Sequence, residues 1–155
     1  MWNDAYFTIV DDYLKRYNAL TVRKNNLESE MAEIEEVLNQ LPVAKTTKYG
    51  WSGGRDGTWE KPSPQEAYCD EKEREEKRLA NKRIEYAHVC SLLERIDRSV
   101  EALPKWQQEI VKSRGMERLS WQSVALKMGD GGNVGRVRSE YRKAMINLAD
   151  MILPG

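Results

Sequence analysis

Residues 103–153 run LPKWQQEIVKSRGMERLSWQSVALKMGDGGNVGRVRSEYRKAMINLADMIL and divide into three short helices, roughly 105–114, 120–128 and 134–151. Gly115, Gly129, Gly131 and Gly132 supply the breaks, since glycine enters the backbone conformations that end a helix. Ser120 stands where its hydroxyl can accept from the exposed N–H groups of the second helix. Trp121, Val124, Ala125 and Met128 give that helix an apolar face, and Val137, Tyr141, Ala144 and Leu148 give the third helix another. A leading helix, a short helix, a turn and a longer helix make the layout of a helix-turn-helix.

Working back from this segment, the chain changes character. Residues 1–41 contain neither Gly nor Pro and follow a seven-residue repeat. One row is Tyr6, Tyr13, Leu20, Leu27, Ile34 and Leu41; the other is Val10, Tyr17, Lys24, Met31 and Leu38. Alternating spacings of three and four keep one narrow stripe facing a partner helix, which predicts a helix of about 55 to 60 Å ending at Pro42. Lys24 interrupts the seam. A second helix is expected from Ser63, Pro64 and Glu66, which together suit a capping box. Its seam is Leu79, Lys82, Tyr86, Val89, Leu93, Ile96, Val100 and Leu103, and its charged run Asp70–Arg78 reads as a solvated face.

The two helices are joined by VAKTTKYGWSGGRDGTWEKP, residues 43–62. Tyr49, Trp51 and Trp59 around the glycine-rich turn allow a small β-hairpin. Arg55 and the glycines lack the lysine-serine or lysine-threonine ending of a nucleotide loop, so a partner-docking loop is the simpler reading. The expected fold is all-α: a long antiparallel helical hairpin or coiled coil over 1–102, with the connection at 43–64, followed by a helix-turn-helix bundle over 103–155. Single-stripe helices bury little as an isolated pair, so a homodimer or higher homo-oligomer is expected.

Charge is unevenly distributed in a chain whose 25 basic and 25 acidic residues cancel. Residues 1–42 hold 4 basic and 8 acidic side chains, whereas 103–155 hold 9 and 5. A basic final third on a neutral protein is the distribution of a module that meets a polyanion, here double-stranded DNA. Arginine can take two hydrogen bonds from a guanine edge, and lysine mainly supplies charge to phosphate. Arg136, Ser139 and Asn133, near the start of the third helix, are therefore the candidates for base edges. Arg138, Arg142, Lys143 and Lys127 are the candidates for phosphates, and Ser120 and Gln122 at the start of the preceding helix complete the set.

At these residues the chain resembles region 4 of sigma-70-type factors. With the helical segment before it, the chain also resembles the phage RinA/ArpU type of late-gene transcription regulator. The features are Leu103-Pro104 opening the first helix, Leu119-Ser120-Trp121 entering the second, Val124-Ala125 and Met128-Gly129 ending it, and Val137, Tyr141 and Ala144 in the third. They cover about a third of the 155 residues. The link Asp130-Gly131-Gly132-Asn133-Val134 is about two residues longer than region 4 usually has, with Asp130 a further capping candidate. The resemblance implies a DNA-binding activator of phage or prophage genes, with RNA polymerase as a further candidate partner.

Other classes have less to rest on. The one histidine, His88, has no partner at metal-ligand spacing, and neither Cys69 nor Cys90 sits in a nucleophile motif, so no enzyme, cofactor or metal is expected. The cysteines are 21 residues apart on one predicted helix, about 30 Å, too far for a disulfide. The acidic start does not read as a signal peptide, and no run approaches the ~20 apolar residues of a membrane span, so a cytoplasmic protein is expected; the resemblance implies a bacterial host cell and association with its nucleoid. Two further readings are a phage small terminase-like packaging subunit and a coiled-coil adaptor whose final bundle binds protein.

Overall fold

The computed structural model describes residues 4–41, 64–129 and 133–153. Among them the chain is entirely helical: α1 (Asp4–Lys15), α2 (Tyr17–Gln40), α3 (Pro64–Glu101), α4 (Lys105–Ile110), a π-helical turn (Val111–Met116), α5 (Trp121–Lys127) and α6 (Val134–Ile152). The second and third of the final helices fall close to where the apolar spacing puts them, whereas the first runs on as a π-helical turn through Gly115. The connection over 43–62, read as a docking loop that allows a small β-hairpin, the capping role of Ser63, and the roles of Asp130, Gly131 and Gly132 lie outside the described residues.

Contacts divide the chain into two compact units, one of Met1–Asn25 with His88–Gly155 and one of Asn26–Ala87. This differs from the expected boundary at 102/103, and the physical reason lies in α1. Val10 and Leu14 are fully buried in the same cluster as Ile96, Val100, Ile110, Val124, Val137 and Met145. Three short helices cannot enclose their own apolar faces, so α1 and the last turns of α3 complete the core.

The single helix expected over 1–41 is interrupted at Arg16. Backbone bonds from Arg16 N to Asp12 O (3.0 Å) and from Leu20 N to Arg16 O (2.8 Å) continue on either side. In α1 the buried face is Val10 and Leu14, with Phe7 packed against the same core, and Tyr6 of the heptad row is exposed. Just past the interruption Tyr17, three residues on from Leu14, packs against the same core, and its hydroxyl donates to Asp97 Oδ1 at 2.6 Å.

Gly115 was expected as a break but lies inside the π-helical turn, buried. A Cβ there would stand 2.8 Å from Leu14 Cδ1 and 3.4 Å from Leu14 Cβ. Absence of a side chain is what lets α1 approach this turn, and the widened turn itself carries a bond from Glu117 N to Lys112 O at 2.9 Å, five residues back.

In the other unit, Leu27 and Ile34 of α2 and Leu79 of α3 are the buried hydrophobic side chains among the described residues. The helices run antiparallel there. Tyr86 donates to Glu28 at 2.6 Å, Lys82 lies 3.1 Å from Glu30, and Arg83 lies 3.3 Å from Glu35. Lys82, a seam position by sequence, keeps its ammonium half-exposed against a carboxylate, as a long side chain with a charged tip does.

Candidate nucleic-acid interface

The candidate interface comprises α5 and α6, with the described residues Met128, Gly129 and Asn133 between them. Ser120 is the N-cap of α5: its backbone is extended and its Oγ accepts from Ser123 N at 3.1 Å. At the other end Met128 N donates to Val124 O (2.9 Å) and Gly129 N to Leu126 O (3.1 Å). Gly129 takes φ 72°, the left-handed conformation that glycine enters without a Cβ penalty. Asn133 caps α6, its Oδ1 accepting from Arg136 N at 3.2 Å. Val137, Tyr141, Ala144, Met145 and Leu148 are buried, so the opposite side of α6 faces solvent.

All nine residues singled out from the sequence, Ser120, Gln122, Lys127, Asn133, Arg136, Arg138, Ser139, Arg142 and Lys143, are exposed. Ser120 and Asn133 spend their side-chain oxygens on caps, which makes them frame residues first. Lys127 lies 3.7 Å from Glu117 and Lys143 3.4 Å from Glu140, both in solvent-exposed settings. Such pairs hold loosely in water, and phosphate can compete for these ammonium groups. Gly135, Arg138, Ser139 and Arg142 line one groove together with Asp4, Phe7, Trp121 and Tyr141, so one carboxylate stands among its guanidinium groups.

Two tryptophans brace the arginines, a feature that apolar patterning did not reveal. The Arg136 guanidinium lies over the Trp106 ring at 5.4 Å, and that of Arg138 over Trp121 at 5.6 Å. Trp121 also carries Arg114 at 4.4 Å, whose Nη1 donates to Leu119 O at 2.9 Å. A guanidinium on an indole face keeps its N–H edges outward while losing rotational freedom. The Trp121 indole meets Tyr141 edge-on at 5.3 Å, and Phe7 meets the same tyrosine at 6.1 Å.

Tyr141 ties this frame to α1. Its hydroxyl donates to Asp11 Oδ1 at 3.3 Å, and the same oxygen takes Arg118 Nη1 at 2.8 Å. Burial pushes the Tyr141 hydroxyl well above the usual tyrosine range, and the Asp11 carboxylate adds to it. The hydrogen bond to Asp11 likewise raises Arg118. Arg118 has φ 61°, a strained backbone for a residue with a Cβ. Asp11 therefore anchors a turn that the local sequence alone would not favour. Neither Asp11 nor Arg118 was legible as part of the site, because their partnership joins residues 107 apart.

Elsewhere His88 and Cys69 are exposed, Cys90 is half-buried, and both thiols are free. No helix among the described residues is long and apolar enough to cross a membrane. Comparison of the chain with protein-family models, with curated proteins and with solved structures found no match.

Proposed function

We propose that the chain is a sequence-specific binder of double-stranded DNA that regulates transcription. In this reading α5 and α6 form the reader and the Asn26–Ala87 unit is the assembly element. The observation that carries it is α6: a helix capped at its start, buried along one side, with Arg136, Arg138, Ser139, Arg142 and Lys143 exposed on the rest. Such a helix after a glycine turn fits a major groove, and its guanidinium groups suit both guanine edges and phosphates. Activation of phage or prophage late genes rests on the resemblance to region 4 and to RinA/ArpU-type regulators.

Self-association is supported by the thinness of the second unit. Besides the three buried apolar side chains among its described residues, Val37 (41%) and Ile84 (57%) are large apolar residues left exposed. Their burial against a second copy would complete a core that two helices lack. A mass by light scattering above the 18.0 kDa of one chain is expected, returning to one chain when Val37 and Ile84 are both changed to Glu.

Selection of genomic fragments by the purified protein at about 150 mM salt, followed by footprinting, tests the DNA reading. Recovery of one promoter-proximal site is the expected result. Recovery of a packaging origin would favour the terminase-like role, and no selective recovery by folded protein would overturn the DNA reading in favour of a protein partner.

A further inference from the structure

The buried residues of α6 are Val137, Tyr141, Ala144, Met145, Leu148, Ala149 and Ile152. Each residue advances about 100° around a helix, so the side facing away from that set holds Ser139 and Lys143, with Arg136 close to it. Arg138 and Arg142, four apart, lie together on one flank. The first turn of α1 borders that flank: Asp4 and Phe7 line one groove with Gly135, Arg138, Ser139 and Arg142. Sequence patterning assigns α1 to the hairpin and names none of its residues as a DNA contact.

The residues that follow Asp4 set its place. Asp4, Phe7 and Asp11, at spacings of three and four, share one side of α1. Asp11 accepts from the Tyr141 hydroxyl at 3.3 Å and from Arg118 at 2.8 Å, and the Phe7 ring meets that of Tyr141 edge-on at 6.1 Å. Val10 and Leu14, fully buried in the core, hold the same helix down. One turn before Phe7, exposed Asp4 therefore comes to the part of α6 that carries Arg138, Ser139 and Arg142.

A helix lying in a major groove has base edges in front of it and a phosphate backbone along each side. The groove beside α1 suits such a backbone. Arg138 and Arg142 offer guanidinium donors, Ser139 a hydroxyl, and Phe7 an apolar ring for deoxyribose. Asp4 is the exception, because its carboxylate only accepts hydrogen bonds, as phosphate does, and its charge repels a phosphodiester. On the reading of α6 as the DNA-contacting helix, we infer that the first turn of α1 belongs to the DNA-contacting surface, where Asp4 opposes the phosphate that Arg138 and Arg142 attract. Asp4 thereby limits the affinity of the chain for duplexes of any sequence, and α1 serves the reader as well as its core.

The test measures binding of the full chain, at about 150 mM salt and across a salt series, to its selected site, to single-base-pair variants of that site and to an unrelated duplex of the same length. Asp4→Asn is expected to bind all of them about 3- to 10-fold more tightly than the wild type, with unchanged preference among them and a steeper salt dependence. Asp4→Glu, which keeps the charge, should stay close to the wild type. Arg138→Ala with Arg142→Ala should weaken binding to every duplex, and in that background Asp4→Asn should bring no gain, the coupling expected of three residues acting in one groove. Thermal midpoints separate these effects from a loss of fold. Unchanged affinity in Asp4→Asn would place α1 outside the interface. A changed preference at one base pair would turn the groove toward base edges, and an undiminished gain without the two arginines would reduce Asp4 to a general surface charge. Any of these three results overturns the inference. A wild-type chain that binds duplexes without preference would refute sequence-specific recognition, and the same variants would still decide the inference on those duplexes; one that binds no duplex would overturn both.

Discussion

The unit of Met1–Asn25 and His88–Gly155 gathers sixteen buried apolar residues into one cluster, whereas among the described residues of Asn26–Ala87 only Leu27, Ile34 and Leu79 are buried apolar side chains. Both are helical, so helix formation does not separate them. What differs is the means by which helices are kept. In the first unit, faces of five helices meet and each side chain is enclosed by several neighbours. In the second, one stripe meets one stripe, and cross-helix pairs such as Lys82–Glu30 and Arg83–Glu35 sit at its solvated edge. Exposed pairs of that kind contribute little. The difference teaches that a core of many faces and a seam of two stripes can be made from the same helical vocabulary by changing how many faces are buried.

The comparison is broken most sharply at Leu14. If α1 belongs to the core of the first unit, Leu14→Ala should cost about 2–5 kcal/mol, the range for emptying a fully buried site. Denaturant unfolding followed by Trp fluorescence would show it. A chain that tolerated the change would return α1 to the hairpin. Gly115→Ala should follow with about 1–3 kcal/mol, because the added Cβ meets Leu14 where neither partner has room to retreat.

Arg118 separates backbone strain from pairing. Arg118→Ala and Arg118→Gly both lose the 2.8 Å contact with Asp11, but only glycine accepts φ 61° freely. The glycine variant should therefore be more stable than the alanine variant by about 1 kcal/mol in thermal or chemical melts. Equal stabilities would mean that the turn relaxes to another conformation once Arg118 is removed.

A further consequence concerns alkaline pH. The hydrogen bond to Asp97, with burial and the Asp97 charge adding to it, pushes the Tyr17 hydroxyl up from 10.0 to about 12. A folded value above the unfolded one means that this contribution is complete below about pH 10 and is lost as pH rises toward 12. Melting across pH 9 to 12 should show a shallower decline for Tyr17→Phe than for the wild type. The smallest effect is expected at Arg83→Gln in the second unit, within about 0.5 kcal/mol. A larger loss would mean that its charges hold more than the geometry indicates.

Much of the fold was legible because it rests on local periodicity. The spacing of Val137, Tyr141, Ala144 and Leu148, and the capping position of Ser120, are properties of a few neighbouring residues, and the helices formed there; the cap of α6 is Asn133, which the sequence offered as a base-edge candidate. Of the seam expected in α3, Leu79, Leu93, Ile96, Val100 and Leu103 are buried for the same reason, whereas Lys82, Tyr86 and Val89 are half-buried. Leu14 fell off the heptad rows yet is fully buried, because α1 packs by a different stripe on a different partner. Exposure of all nine candidate contact residues also followed from the apolar pattern, since whatever is not on the buried stripe must face outward.

What sequence alone determined here is therefore most of the helices and their buried stripes, the Ser120 cap and the basic character of the final third, all set by interactions reaching at most a turn or two along the chain. Tertiary structure decided which helices share a core, that Gly115 serves a close approach and not a break, that Asp11 holds Arg118 and Tyr141, and that Trp106 and Trp121 brace separate arginines. Each of these depends on side chains brought together from distant positions, and local propensity carries no information about which distant partner a side chain will meet.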